Sequence, residues 1–419
     1  MKNNFYRKVL SKPHKKFEAR LSQNFQRKIL PNGMTIVFEK RNLPIVSVAF
    51  AVRNGGINET LEEKGISHFI EHMLYKGTPT RNAKKIAQEI EKNGGELNGF
   101  TSEEITAFWC KMPSKHLNLA LEVLSDMVKN PLFDEKELEK ERKVIFEEIK
   151  MRHDSPHICV FDEIQKCLYN GNLEIDVIGT IETMNSVDRK KIVEKFESVY
   201  KPNNMILIVV GDADFEEIVN FVEKNFNDER SEVPEQSFGL KNEIKIEKRK
   251  GIEQANLVFA YHVPIAEDEK NYSAQVLSAL MAEGMSSRLF SEIREKRNLA
   301  YAIKGGADIN KRFAFNFIYV GTTKENVEIV KDLILKEFEK VAENLEEDEL
   351  NQVKEQLIGQ HQISLEDSQN QLVNLLVSEI QGNAEDFYDF EKNISKVKLE
   401  DVKNLAKIKD YSFFALVPE

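Results

Sequence analysis

Four short segments of the first half of this chain recur in the second half, in the same order and at a nearly constant offset. The segment 68–77 (HFIEHMLYKG) aligns with 275–284 (QVLSALMAEG), 207 positions later. The other aligned pairs are 89–90 with 292–293, 137–138 with 349–350, and 205–210 with 411–416, at offsets of 203, 212 and 206. One such match would be chance, but four in order indicate duplication of a unit of about 200 residues.

Strand and helix patterns alternate within the first copy. Short β-branched and apolar runs predict strands, and apolar residues at helical spacing predict helices. The strand-like runs are 34–39, 45–52, 104–112 and 205–210, and the helical runs are 65–75, 83–92, 116–129 and 134–151. We predict an α+β fold of two homologous α/β sandwich domains, each with a mixed, mostly antiparallel sheet and helices on one face.

The duplication also suggests where the domains begin and end. We place a basic arm at 1–24, one domain at 25–226, a linker at 227–245 and the homologous domain at 246–419. The linker starts with a polar, acidic stretch that contains Pro234. The arm has seven Lys and Arg residues among its first 20 but no apolar stretch after them, so we do not expect a secretory signal here. A surface arm is the favoured interpretation, and a basic targeting segment is the alternative.

Composition excludes several classes of function. The net charge of −11 and the pI near 5.5 argue against nucleic-acid binding, which depends on Lys and Arg. No apolar run approaches the roughly 18 residues of a membrane span. The three cysteines, Cys110, Cys159 and Cys167, form no CxxC pair and no disulfide framework. We therefore expect reduced thiols in a cytoplasmic protein.

The first aligned segment contains the motif with the most chemical content, His68-Phe69-Ile70-Glu71-His72. Positions i, i+3 and i+4 share one face of a helix, so both imidazoles and the carboxylate point to the same place. Two neutral His at i and i+4 can ligate Zn²⁺, with Glu71 beside a water molecule at the metal. A random chain of this length contains HxxEH by accident about once in a hundred cases. A metal site is therefore favoured over two surface His on one helix face.

The second copy lacks this motif. Gln275, Ser278 and Ala279 stand at the positions that correspond to His68, Glu71 and His72. The chemistry of the motif therefore belongs to the first copy alone, and we expect one Zn²⁺ per chain.

A catalytic zinc site needs a third protein ligand, and the helical run 141–150 offers Glu141, Glu147 and Glu148. Here the chain resembles the zinc metallopeptidases of the pitrilysin, insulin-degrading enzyme and mitochondrial processing peptidase family. In that family HxxEH is followed, after about 75 residues, by a Glu in an ERxVIxxE context. From His72, 75 intervening residues lead to Glu148, at the end of ERKVIFEE. The resemblance implies that Glu148 is the third ligand and that Glu141 is a supporting carboxylate near the site.

Two further segments carry the same resemblance. The run 94–106 is similar to the family's GGxxNAxTxxExT segment, which implies that substrate peptide pairs with an edge strand at Asn98, Gly99, Phe100 and Thr101. Gly99 stands where the family usually has Ala. The run 287–301 is similar to the RLFxxLRExxxLAY signature, which implies that Arg294 and Tyr301 bind substrate backbone and stabilise the developing oxyanion.

The resemblance therefore implies a zinc-dependent metalloendopeptidase that hydrolyses peptides or unfolded segments, with Glu71 as the general base. Family members enclose substrate in a clamshell of four such units, and this chain supplies two. We expect a homodimer, with a heterodimer of related subunits as the alternative. Two other functions remain open, a non-catalytic structural or assembly subunit of the same fold and a zinc-stabilised fold. The second is disfavoured because structural zinc sites usually have four Cys or His ligands.

Overall fold

The computed structural model describes residues 24–419, so the predicted basic arm lies outside it except for Asn24. The strands are β1 (Phe25–Ile29), β2 (Thr35–Lys40), β3 (Ile45–Val52), β4 (Glu96–Thr101), β5 (Thr106–Pro113), β6 (Tyr169–Gly171), β7 (Met205–Gly211), β8 (Phe238–Leu240), β9 (Ile244–Arg249), β10 (Ala255–His262), β11 (Ala300–Ile309), β12 (Ala314–Thr322) and β13 (Ser412–Pro418). The α-helices are α1 (Ile66–Leu74), α2 (Ala83–Glu91), α3 (Leu117–Lys129), α4 (Glu135–Asp154), α5 (Pro156–Leu168), α6 (Ile181–Ser186), α7 (Arg189–Val199), α8 (Phe215–Asn225), α9 (Asn271–Ala282), α10 (Val327–Asn344), α11 (Glu347–Ser364), α12 (Ser368–Gln381), α13 (Phe390–Lys396) and α14 (Leu399–Leu405). None of the helices within 24–419 is long and apolar enough to cross a membrane.

Two mixed sheets share a topology of five strands, and the first sheet has β1 as an additional edge strand. The strand order of the first is β1-β2-β7-β3-β5-β4, and that of the second, read from the other edge, is β9-β13-β10-β12-β11. Each contains one parallel pair, β2 with β7 and β9 with β13, and its other neighbours are antiparallel. The predicted α+β fold with two homologous units is therefore confirmed. Strands β6 and β8 form a separate two-stranded antiparallel sheet, and β8 occupies part of the predicted linker.

The aligned sequence segments occupy equivalent elements. Segment 68–77 covers most of α1 and 275–284 most of α9, while 205–210 lies in β7 and 411–416 in β13. The pair 137–138 and 349–350 lies near the starts of α4 and α11. The pair 89–90 is in α2, whereas 292–293 is in a single π-helical turn, Phe290–Glu295. The duplication in the sequence is therefore also a duplication of backbone structure.

One face of each sheet is covered by helices of its own half, as predicted. In the first half, Phe38, Phe50 and Phe108 of the sheet share a buried cluster with Phe69 and Ile70 of α1. The equivalent cluster of the second half joins its sheet to α9, α10 and α11. Helix α1 is thus fixed against the sheet through its apolar side, which leaves its polar side for the site described below.

The opposite face of each sheet is covered by a helix from the other half, which the sequence analysis did not predict. Leu372 and Leu376 of α12 pack with Ala49 and Ile208 of the first sheet. The second sheet is covered in the same way by α5, whose Val160, Cys167 and other apolar residues pack on its outer face. Both faces of the central strands are therefore buried, which explains why these strands are almost continuously apolar.

A buried carboxylate fastens α12 to the first sheet. Glu379 is 1% exposed and accepts hydrogen bonds of 2.8 Å from both Arg27 and Arg53, and one of 3.1 Å from the backbone N–H of Ala384. Burial opposes ionisation, but the hydrogen bonds from Arg27, Ala384 and Arg53 hold the pKa of Glu379 below its ordinary value. The contact between the halves is therefore ionic as well as apolar.

We predict that Glu379→Gln lowers the free energy of unfolding by about 2–4 kcal/mol, because it leaves two partly buried guanidinium groups without their buried anion. Urea denaturation followed by circular dichroism measures the change. A carboxylate whose folded-state pKa is depressed stabilises the fold above the ordinary carboxyl pKa, and this contribution is lost as the pH falls through the folded-state pKa. The difference in the free energy of unfolding between the wild-type protein and the variant should therefore become smaller in acid.

The matched control is Glu223→Gln. Glu223 pairs with Lys28, which follows Arg27 on β1. This pair is 3.9 Å apart, and both of its side chains are more than 40% exposed. An exposed pair of this kind contributes little, so a change of no more than about 0.5 kcal/mol is expected. Equal effects of the two substitutions would contradict a special role for the buried carboxylate.

Candidate metal centre

Helix α1 begins at a buried carboxylate that the sequence analysis did not identify. Glu59 is fully buried, and its two oxygens accept hydrogen bonds from the backbone N–H groups of Gly65 at 2.9 Å and Ser67 at 2.7 Å. A carboxylate at this end of a helix satisfies free N–H groups and complements the helix dipole. No local sequence motif predicts this contact, because a turn separates Glu59 from the start of α1. It fixes the first turn of α1, which contains the first residue of HxxEH.

His68, His72 and Glu148 come together on facing sides of α1 and α4. Glu148 Oε2 lies 3.8 Å from His68 Nε2 and 3.6 Å from His72 Nε2. The two imidazole rings are 4.6 Å apart and nearly perpendicular. One donor atom from each of the three residues lies within 4.8 Å of the others. The three residues that the sequence analysis named as ligands therefore form one compact donor cluster.

The donor set fits a zinc ion. Tetrahedral Zn²⁺ with bonds near 2.1 Å places neighbouring donor atoms about 3.4 Å apart, close to the distances between Glu148 and the two imidazoles. Two imidazole nitrogens with one carboxylate oxygen is a donor set of catalytic zinc sites, which keep a fourth position open. Within residues 24–419, the group contains no fourth His, Cys, Asp or Glu. The geometry therefore suits a catalytic ion better than a structural one.

Glu141 supports the cluster from behind His72. Its Oε2 lies 3.1 Å from His72 Nδ1, and its Oε1 lies 2.6 Å from Lys76 Nζ. Burial opposes ionisation of Glu141, but the hydrogen bonds from His72 and Lys76 bring its pKa below the ordinary value. A carboxylate on the far nitrogen fixes the orientation of a ligating imidazole, as is common at metal sites. Glu141 thus lies where the resemblance placed it.

The two imidazoles have opposite electrostatic environments. Burial, and next the charge of His72, lower the pKa of His68 to about 4. His72 is also buried, but its hydrogen bonds with Glu141 and Glu148 outweigh burial and raise its pKa to about 9. His68 is therefore neutral near pH 7, as a ligand must be. His72 must lose a proton when it binds a metal, so metal affinity should depend on pH.

Glu71 lies on the same helix face and is held by the neighbouring edge strand. Thr101 Oγ1 donates a 2.6 Å hydrogen bond to Glu71 Oε2. Burial raises the pKa of Glu71 more than this hydrogen bond lowers it, and the negative charge of Glu148 raises it further. A carboxylate with a raised pKa beside a metal cluster is suited to take and return a proton near neutral pH.

The predicted substrate edge is an edge strand of the first sheet. Among residues 24–419, strand β4 pairs only with β5, so one row of its backbone groups is free of strand pairing there. Its side chains are already used, because Thr101 binds Glu71 and Phe100 packs into the cluster between the halves. Asn98 accepts a hydrogen bond from the backbone N–H of Gly99. The outer row of backbone groups of β4 therefore remains available for pairing with a peptide.

Gly99 leaves room for the side chain of Tyr75, which the sequence analysis did not identify. A Cβ at position 99 would lie 2.5 Å from the hydroxyl of Tyr75 and 3.5 Å from Glu71 Oε1. The Tyr75 hydroxyl is buried without a hydrogen-bond partner among the described residues. An Ala at this position would therefore displace Tyr75 and would also press on the backbone carbonyl oxygen of Ala107, 2.8 Å from its Cβ, which gives a physical reason for the departure of Gly99 from the family pattern.

Arg294 and Tyr301 are not bonded to the cluster in the part of the chain that the structure describes. Within residues 24–419, no hydrogen bond or ion pair connects either residue to His68, His72 or Glu148. Arg294 is exposed and its guanidinium lies over the ring of Phe290, 4.8 Å from the ring centre. Tyr301 lines a cavity of about 630 Å³, together with residues 154–157 at the junction of α4 and α5. The structure therefore does not bring this predicted pair to the cluster of the same chain.

The second half has no corresponding cluster. Ser278, which corresponds to Glu71, donates a 2.6 Å hydrogen bond to Glu283, and Gln275 donates to Asn271. Helix α9 is almost entirely buried, whereas α1 exposes its polar residues to the site. The second copy of the helix is thus a packing element.

The chain matches two descriptions of one peptidase family. Residues 35–181 match the family model described as Insulinase (Peptidase family M16), and residues 186–357 match the one described as Peptidase M16 inactive domain. The Bacillus subtilis protein named uncharacterized zinc protease YmxG is 32% identical over 399 residues, which are 92% of this chain and 97% of that protein. An uncharacterized zinc protease of Rickettsia felis is 32% identical over 347 residues, or 80% of this chain and 83% of that protein.

Solved structures have the same fold. A protease from Helicobacter pylori superposes with a TM-score of 0.87 at 22% sequence identity, over 94% of this chain and 99% of that chain. A putative M16-like peptidase from Alicyclobacillus acidocaldarius superposes with a TM-score of 0.83 at 18% identity, over 94% and 98% of the two chains.

We predict that Glu148→Gln abolishes retention of Zn²⁺, because it replaces an anionic ligand by a neutral amide. The metal content of the purified protein, measured by plasma mass spectrometry after dialysis, tests this. Glu147→Gln is the matched control, since Glu147 is the preceding residue but is 73% exposed and pairs with the exposed Lys150. It should keep one Zn²⁺ per chain. Equal zinc content in the two variants would contradict the assignment.

Proposed function

The chain belongs to the insulinase (M16) family of peptidases, and on this basis we propose that it is a zinc-dependent metalloendopeptidase acting on peptides or unfolded segments of polypeptides. The main support is the convergence of two imidazoles and one carboxylate, with an open fourth position, beside the half-buried Glu71. We also propose the division into a metal-binding domain at 25–226 and a homologous domain at 246–419.

His68, His72 and Glu148 would hold Zn²⁺, and Glu141 would keep the imidazole of His72 in its ligating orientation. Bound there, Zn²⁺ supplies a Lewis acid that polarises the scissile carbonyl and makes a water molecule acidic. The matching donor distances and the absence of a fourth protein ligand among residues 24–419 support this role.

Glu71 is the proposed general base. Thr101 holds Oε2, so Oε1 is the oxygen free to accept the proton of the attacking water. The carboxyl group then donates this proton to the nitrogen of the leaving amine. The raised pKa of Glu71 supports both steps, because a carboxyl group with an unperturbed pKa would be a poor acid near pH 7.

Substrate binding is assigned to two elements. An extended peptide would pair with the free backbone edge of β4 at residues 98–101, which makes few demands on its sequence. Arg294 and Tyr301 would hold the peptide backbone and stabilise the negative charge that develops on the carbonyl oxygen. Since this pair does not contact the cluster of its own chain, we assign it to the site of a second copy.

The proposed assembly is thus a homodimer that encloses the substrate in a clamshell chamber and has two sites, each combining the metal cluster of one chain with Arg294 and Tyr301 of the other. A heterodimer with a related subunit is the alternative. We place the protein in the cytoplasm, because Cys110, Cys159 and Cys167 are buried free thiols, as expected in a reducing compartment.

We predict that Glu71→Gln keeps one Zn²⁺ per chain but loses turnover of an unstructured fluorogenic peptide. The amide cannot accept the proton, while all three ligands are intact. Zinc content and peptidase rate are measured on the same sample, and a chelator should abolish the activity of the wild-type protein. Full activity of the variant would exclude Glu71 as the base. A wild-type protein with zinc but without activity on any peptide mixture would favour the non-catalytic assembly subunit.

We predict that two inactive variants complement each other in a mixed dimer. One chain carries Glu71→Gln, and the other carries Arg294→Ala with Tyr301→Ala. Purification through two different tags isolates the heterodimer, in which one of the two sites is intact, so about half of the wild-type activity should return. Light scattering establishes that the sample is dimeric. A dimer without recovered activity would show that each chain completes its own site.

A further inference from the structure

Tyr301 is held in an unusual position at the edge of the second sheet. It is 48% exposed, although it lies in β11 between residues that pair with β12. Ala300 pairs with Thr322 and Ala302 pairs with Gly321, so Tyr301 is an extra residue without a partner. This is a β-bulge, a distortion that redirects a side chain and often occurs next to active sites.

The ring of Tyr301 lies directly on Gly321. A Cβ built on Gly321 would meet Tyr301 Cζ at 2.3 Å, the hydroxyl oxygen at 2.5 Å and Cε1 at 2.6 Å. The three nearest atoms all belong to Tyr301, so nothing closer limits the space at this position. The backbone of Gly321 has no positive φ that would require glycine. The close approach of the tyrosine ring is therefore the reason that this position in the strand lacks a side chain.

Two residues of β12, Tyr319 and Thr322, make hydrogen bonds next to Tyr301 and the bulge. Tyr319, two residues before Gly321, donates a 2.6 Å hydrogen bond to Asn256, and its pKa is raised by burial and by the Tyr301 side chain. Thr322 donates to the backbone carbonyl of Leu299, just before the bulge. The start of β11 and the hydroxyl of the neighbouring Tyr319 are thus both fixed.

We propose that Gly321 is a positioning residue for Tyr301. The bulge turns the tyrosine out of the strand alternation, and the missing side chain at 321 lets the ring lie against the sheet, where Tyr301 lines the cavity of about 630 Å³. An ordinary strand residue at 321 would lift the ring and move the hydroxyl. This inference rests on the proposed function, in which the Tyr301 hydroxyl stabilises the oxyanion.

The test is a double-mutant cycle of Gly321→Ala and Tyr301→Ala, measured as kcat and KM on an unstructured fluorogenic peptide. Tyr301→Ala should lower kcat by about 10²-fold, the usual cost of losing one oxyanion donor. Gly321→Ala should lower kcat by at least about tenfold, with KM and zinc content unchanged. In the Tyr301→Ala background, Gly321→Ala should have no further effect, because its only target has gone.

Gly359→Ala is the matched control, because a Cβ there meets nothing within 4 Å. A readout independent of activity is the rate at which tetranitromethane nitrates Tyr301, followed by peptide mass spectrometry. This rate should change in Gly321→Ala and not in Gly359→Ala. If Gly321→Ala fails to fold, removal of the ring in the double variant should restore the thermal unfolding temperature.

The outcomes separate this inference from the proposed function. Wild-type kcat in Gly321→Ala, with an impaired Tyr301→Ala, would overturn the positioning role alone. Additive effects in the double variant, or failure of the double variant to fold, would also overturn it, because Gly321 would then act independently of Tyr301. Wild-type kcat in Tyr301→Ala would overturn the assigned role of Tyr301 and the inference that depends on it.

Discussion

The reciprocal exchange of two helices is the contact on which the rest of the structure depends. Each sheet buries one face under its own helices and the other under a helix of the opposite half, α12 or α5. Neither half could fold alone without exposing the apolar outer face of its sheet to water. The two halves are thus one packing unit, and Glu379 with Arg27 and Arg53 adds a buried ionic contact to it.

This packing also fixes the metal cluster. Helix α4, which carries Glu141 and Glu148, ends at Asp154, and α5 begins two residues later and crosses to the second sheet. Glu148, the proposed third ligand, therefore belongs to a helix whose continuation is held by the other half of the chain. Helix α1 is fixed separately, by its apolar contacts with the first sheet and by Glu59 at its first turn. The cluster forms where these two differently anchored helices meet.

Features that depend on local periodicity could be predicted from the sequence, whereas features that depend on contacts between distant residues could not. The spacing of His68, Glu71 and His72 on one helix turn is a local property, and the position of Glu148 followed from the family spacing. The exchange of α5 and α12 was not predictable, because an apolar helix does not reveal which sheet it covers. For the same reason Glu59, and the hydrogen bond from Thr101 to Glu71, were missed: each contact crosses a turn or joins separate elements.

The two copies carry their proposed functional residues on different elements of the shared topology. In both copies a glycine, which lacks a side chain, makes room for a tyrosine. In the first copy, Gly99 lies in the edge strand β4 and leaves space for the Tyr75 hydroxyl near Glu71. In the second copy, the equivalent edge strand β11 carries Tyr301, and Gly321 on the adjacent strand leaves space for its ring. A tyrosine hydroxyl at a sheet edge has a defined position only if its aromatic ring is held in place. A glycine lets that ring lie close to the backbone. Duplication supplied two such edges, and divergence gave one to the metal cluster and the other to Tyr301.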